Sequence, residues 1–305
     1  MLTKKRVLIA LGAAAVAMGV VVFVNRAKTR LRLAYGPGEV TVTRNVVYVP
    51  GSGNTKHRLD VYAPKDARGA PVVHFVHGGH WMEGDKDFWA LATGLYGSIG
   101  VALAKRGIVT VVQSYRLTPE VSIEGILDDV MAALRWTQTH VSEYGGDPRR
   151  VSMMGHSAGG HVVALVGVDD ALHKSRGMDP RAVSGYVALS AVWDVGEMAD
   201  DHGTEWNAKV TVPVFGAGRE QWAAWSPLGR LHAGVQPFFI VIGERDYPYM
   251  IPQAEHARDR LKELGEKPRY LVLPNAEHAG VVLAFGTAND KLTDAVVDFV
   301  TRPSP

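Results

Sequence analysis

Residues 155–159 read Gly-His-Ser-Ala-Gly, and the pentapeptide stands where a strand hands over to a helix. Ahead of it, Arg150-Val151-Ser152-Met153-Met154 is a strand-like run; behind it, Gly160 to Val166 can continue as a buried helix. So tight a turn pushes Ser157 out of the sheet, and it tolerates only small residues two positions either side. Gly155 and Gly159 meet that demand because a Cβ would crowd the turn. Ser157 is therefore the candidate nucleophile.

The chain has 305 residues, of which 47% are hydrophobic, enough for one large α/β domain or two small ones. It has no cysteine, which excludes a disulfide framework, a thiolate metal site and a cysteine nucleophile. The net charge of +2 is unevenly placed. Residues 1–32 hold Lys4, Lys5, Arg6, Arg26, Lys28, Arg30 and Arg32 and no acid; without these 7 the remaining 26 bases face 31 acids, a balance of −5. A body of that sign disfavours a nucleic-acid partner.

The run Val7–Val24 carries no charge and lies between Lys4-Lys5-Arg6 and Arg26. As a helix it would measure roughly 27 Å, enough to cross a bilayer core narrowly. No convincing small-x-small cleavage site follows, so an uncleaved anchor is expected in preference to a cleaved signal. Residues 1–32 are thus expected to form a membrane anchor and basic linker, and residues 33–305 a catalytic domain. Bases on the two sides of the run nearly balance, and the preferred orientation exports that domain to the extracytoplasmic side.

From about Leu33 strands and helices alternate. Strands are expected over Val40–Val49, Arg58–Tyr62, Val72–Val76, Ile108–Gln113, Val151–Met154, Tyr186–Leu189, Phe238–Ile242 and Tyr270–Leu273. Helices are expected over Phe88–Lys105, Glu124–Val141, Ala158–Val168, Pro252–Leu264 and Asn289–Thr301. Several strands are continuous apolar runs, as in a parallel sheet covered on both faces. The alternation predicts a doubly wound α/β sheet. The less regular stretch Asp169–Leu231, with Trp193, Trp206, Trp222 and Trp225, reads as a small insertion over the strand ends, serving as a partial lid or acyl pocket.

A serine hydroxyl needs a base to take its proton, a carboxylate to hold that base, and donors for the developing oxyanion. The apolar strand Val72–Val76 ends in His77-Gly78-Gly79-His80-Trp81, where two glycines let backbone N–H groups face a ligand. Gly78 and Gly79, with Ala158, are the expected oxyanion donors, and His77 is expected to shape the loop. His74, His77 and His80 have a spacing that invites a metal, but on a strand-to-loop segment their imidazoles are not expected to converge, and none is proposed. The acid is sought after Phe238–Ile242, where Asp246 is favoured and Glu244 is its rival. The base is sought after the last strand, where His278 ends the loop Asn275-Ala276-Glu277, in the chain order Ser…Asp…His. Trp81 and His156 are expected to line the substrate site.

These motifs resemble the esterase/lipase-like branch of the α/β-hydrolases, the branch with an HGGxW motif that includes hormone-sensitive-lipase-like, feruloyl-esterase-like, arylformamidase and prenylcysteine methylesterase enzymes. The resemblance covers about residues 40–302. It rests on His77-Gly78-Gly79-His80-Trp81, Gly84-Asp85-Lys86, Tyr115-Arg116-Leu117, Tyr144-Gly145-Gly146-Asp147-Pro148, Gly155–Gly160, Gly243…Asp246 and His278. It implies an α/β-hydrolase fold with an eight-stranded, mostly parallel sheet and a cofactor-free serine hydrolase with the triad Ser157, Asp246 and His278. The substrate implied is a small to medium carboxylic ester. An arylformamidase, a membrane-associated lipase, a prenylcysteine-type methylesterase and a non-catalytic binding protein are the alternatives. Position 80 is His where HGGG lipases carry a third Gly, and the Tyr115-Arg116 pair is expected to brace the oxyanion loop.

Overall fold

The continuous apolar runs of the sequence become the centre of one eight-stranded sheet. The computed structural model describes residues 39–87, 95–287 and 290–302. The strands are β1 (Val40–Val47), β2 (Arg58–Pro64), β3 (Ala70–Val76), β4 (Val109–Gln113), β5 (Gly146–His156), β6 (Val183–Leu189), β7 (Phe238–Arg245) and β8 (Arg269–Glu277). They lie in the order β1-β2-β4-β3-β5-β6-β7-β8. β1 and β2 are antiparallel to their neighbours, and every pairing from β4 to β8 is parallel.

Burial follows from this order. β4 is buried along its whole length and β3 everywhere but its first residue, because helices cover both faces of the parallel part. β1 sits at the edge, half exposed, and slips register between Thr43 and Val46. Main helices are α1 (Gly97–Ala104), α2 (Ile123–His140), α3 (Ala158–Val168), α4 (Val195–Trp206), α5 (Met250–Glu263) and α6 (Lys291–Thr301). In α2 the buried residues Ile123, Ile126, Leu127, Val130, Leu134 and Thr137 recur at three- and four-residue steps, the stripe of a helix lying on a sheet.

The insertion lies between β6 and β7. It holds α4, which is kinked at Gly203 (φ 76°), and a run of short helical turns down to Arg230. Trp193 is sealed in the core, while Trp206, Trp222 and Trp225 are partly buried and pack against it.

Two expectations need correcting. The anchor over residues 7–24, and with it the membrane localisation, does not stand: among the described residues no helix is long and apolar enough to cross a membrane, and residues 7–24 lie outside them. The helix expected from Phe88 is described only as Gly97–Ala104, residues 88–94 lying outside the described set.

Candidate active site

β5 ends at His156, and α3 begins at Ala158. Between them Ser157 takes φ 57° and ψ −122°, a strained conformation for a residue with a side chain. The turn is held by the Ser157 N–H to Leu189 O (3.0 Å) and the His161 N–H to Ser157 O (2.9 Å). Its glycines are obligatory on distance. A Cβ at Gly159 would lie 2.2 Å from Val76 O, and one at Gly155 would lie 2.3 Å from Gly159 O. Gly159→Ala is therefore expected to destabilise the fold by about 3–5 kcal/mol, because backbone on both sides must shift. Urea denaturation measures this, and a midpoint unchanged from wild type would contradict the geometry.

Ser157, His278 and Asp246 come from the ends of β5, β8 and β7, and the structure brings them together. His278 Nε2 lies 2.9 Å from Ser157 Oγ, and His278 Nδ1 lies 2.7 Å from Asp246 Oδ1. A carboxylate accepts only, so Nδ1 carries the hydrogen and Nε2 is free to accept the serine proton. Asp246 is fixed by three more donors: Ser190 Oγ–H to Oδ2 (2.5 Å), Gly243 N–H to Oδ2 (3.3 Å) and Tyr247 N–H to Oδ1 (2.8 Å). Burial alone would raise the Asp246 pKa. The hydrogen bond and charge of His278 outweigh it, aided by Ser190 and the Tyr247 N–H, and hold the carboxyl below its ordinary value. Glu244, the rival acid, is turned away: its Oε2 accepts the Asn275 N–H (2.6 Å) at the exposed ends of β7 and β8.

Ser190 was not legible as part of this group. It is the first residue after β6, has φ 46° and is fully buried. The one cue in the sequence is a hydroxyl at a strand's carboxyl end.

The oxyanion loop departs from expectation in one respect. The Gly78 N–H already donates to the hydroxyl of Tyr96 (3.0 Å), so it is not free for a ligand. Among the described residues no acceptor meets the N–H of Gly79, His80 or Ala158. Gly79 O accepts from the N–H groups of Met82 and Glu83, which fixes the 79–80 peptide plane and turns the His80 N–H to the opposite side. Tyr115 Oη–H donates to His77 O (2.9 Å), and the Tyr115 ring stacks on His77 at 4.2 Å. Arg116 instead clamps Asp129. Tyr96→Phe would leave a buried N–H unmatched and is expected to cost about 1–3 kcal/mol of stability, read by denaturation.

Trp81 and His156 do not line an open site. Positive φ at His80 and Trp81 (52° and 63°) folds the indole inward, where it meets His161 and Phe215 edge-on, and Trp81 is 1% exposed. His156 Nε2–H donates to His278 O (3.1 Å), so it props the base's backbone from beneath. Burial, with the His278 charge, pushes the His156 pKa down to about 3, and burial pushes those of His74, His77 and His161 down to about 4. His74 is held between Thr137 and Gln113, and His77 Nδ1–H donates to Gly78 O. Among the described residues no group of three or more His, Asp or Glu could hold a metal ion.

The family model BD-FAE matches residues 59–261, more than half of the chain. The chain belongs to the BD-FAE family. This BD-FAE chain is 28% identical over 257 residues to a probable isoprenylcysteine alpha-carbonyl methylesterase of Arabidopsis thaliana, covering 79% of this chain and 52% of the relative. It is also 28% identical to esterase LipC of Mycobacterium tuberculosis, covering 80% of this chain and 62% of that one. The BD-FAE chain thus spans between half and two thirds of the length of these relatives. Among solved structures, esterase B of Lactobacillus rhamnosis superposes with a TM-score of 0.74 at 19% identity, covering 98% of this chain and 96% of that one. A carbohydrate esterase from gut microbiota gives 0.72 at 21%, covering 86% and 97%. The expected α/β-hydrolase fold is therefore the fold of this BD-FAE member.

Proposed function

We propose that this chain is a serine carboxylesterase whose catalytic unit lies within residues 33–305. The observation that carries the reading is the unbroken line Ser157 Oγ–His278–Asp246, with contacts of 2.9 and 2.7 Å. In this reading Ser157 attacks the ester carbonyl while His278 Nε2 takes its proton. Asp246 holds the imidazolium that forms, and the N–H groups of Gly79, His80 and Ala158 receive the oxyanion. His278 then hands its proton to the leaving alcohol, and water repeats the cycle on the acyl-serine. No cofactor enters any step.

The test is a panel on the purified protein: p-nitrophenyl esters of rising chain length, methyl esters of prenylated cysteine, feruloyl esters and N-formylkynurenine, with Ser157→Ala alongside. Ester turnover that disappears in that variant supports the reading. Turnover of the formamide alone would move the assignment to an amide hydrolase.

A further inference from the structure

Six rings stand in sequence from the proposed base to the oxyanion loop. Tyr247 lies 4.5 Å from His278, and Tyr249 runs parallel to Tyr247 at 6.1 Å. His202 meets Tyr249 at 5.1 Å and Trp206 at 4.5 Å, and His80 meets Trp206 edge-on at 5.0 Å. His202 and Trp206 flank the Gly203 kink of α4, so the insertion supplies the middle of the arc. One end belongs to the group that would protonate the leaving alcohol, and the other directly follows Gly79. Two of the rings are open to solvent: Tyr247, next to His278, is 41% exposed, and the His80 side chain at the far end is 43% exposed.

We propose that this arc recognises the alcohol half of the substrate, and that the alcohol it takes carries a flat aromatic or heteroaromatic ring. The inference rests on the esterase reading and adds the leaving-group class to it. The leaving oxygen must lie within hydrogen-bond reach of His278 Nε2, so its substituent passes beside that imidazole, and the partly exposed Tyr247 ring stands there. A planar group can stack on Tyr247 or meet its edge, an arrangement favoured by the ring quadrupole beyond simple burial of area. A saturated ring of equal size covers the same surface without that complement.

The test compares benzyl with cyclohexylmethyl esters of one acid, the acid turned over fastest in the p-nitrophenyl series. These two alcohols leave with similar ease and differ in ring flatness. The mirror pair is ethyl phenylacetate with ethyl cyclohexylacetate, which places the same rings on the acyl side. Wild type is expected to favour the benzyl ester in kcat/KM by about 2- to 10-fold. Tyr247→Phe keeps the preference and Tyr247→Leu erases it, while the acyl-side ratio stays the same in all three proteins. No benzyl preference in wild type, a preference that survives Tyr247→Leu, or an acyl-side ratio that moves with it overturns the proposal. Hydrolysis that persists in Ser157→Ala instead overturns the esterase reading, so the two failures are distinguishable.

Discussion

Ser157→Ala is expected to lower kcat on any ester the protein turns over by about 10⁶-fold, the scale seen when a serine nucleophile is removed from an assembled triad. The fold has no reason to follow. Ser157 Oγ serves His278, whereas the turn itself is held by the backbone bonds of Ser157 with Leu189 and His161 and by the glycines around it. The variant's denaturation midpoint should therefore match wild type while turnover vanishes. Activity within tenfold of wild type would remove Ser157 from the mechanism, and a collapsed midpoint would show that the hydroxyl also supports the turn.

Asp246→Asn is the second large effect, at about 10⁴-fold in kcat. An amide in place of the carboxylate can present NH₂ to His278 Nδ1, which favours the tautomer with hydrogen on Nε2, where it no longer accepts from Ser157. Glu244→Gln is the matched control. Among the described residues its carboxylate serves only the exposed Asn275 N–H, so turnover should stay near wild type. A reversal of the two results would give the acid's role to Glu244. The same substitution has a stability signature. The Asp246 pKa is held below its unfolded value, so the carboxylate's stabilising contribution is fully present above about pH 4 and is lost as pH falls through the folded value. Asp246→Asn lacks that increment, and its stability curve should be flatter than wild type in the acid range below pH 4.

Most of the sheet was legible because each strand is a short apolar run bounded by turn residues. β3, β4 and β7 differ from the expected spans by at most three residues at either end. β8 runs four residues past Leu273 to Glu277, and β5 starts at Gly146 rather than Val151, because Gly146 pairs with Ala70 despite the polar stretch that follows. The insertion was legible only as an irregularity. Its helices are brief, one is kinked at Gly203, and no periodic stripe is long enough to announce them. At the candidate site, local chain signals pointed to the residues that meet around Ser157, since an elbow and two strand ends are features of sequence. Capture of the Gly78 N–H by Tyr96, 18 residues on, and the Ser190–Asp246 bond across 56 residues are tertiary facts with no local signature. The inward turn of Trp81 depends on backbone angles at 80 and 81 that an HGGxW string does not spell out.

The neutral imidazoles sealed beneath the sheet's carboxyl edge have a practical bearing on how any assay of this protein must be run. His74, His77, His156 and His161 refuse protons that the unfolded chain accepts from about pH 6.5 downward, so native stability is greatest above that pH and drains away as the solution is acidified toward 4. Lost turnover in a mildly acidic buffer would then report a scaffold coming apart and not the catalytic chemistry alone. Circular dichroism recorded in the same buffers separates the two.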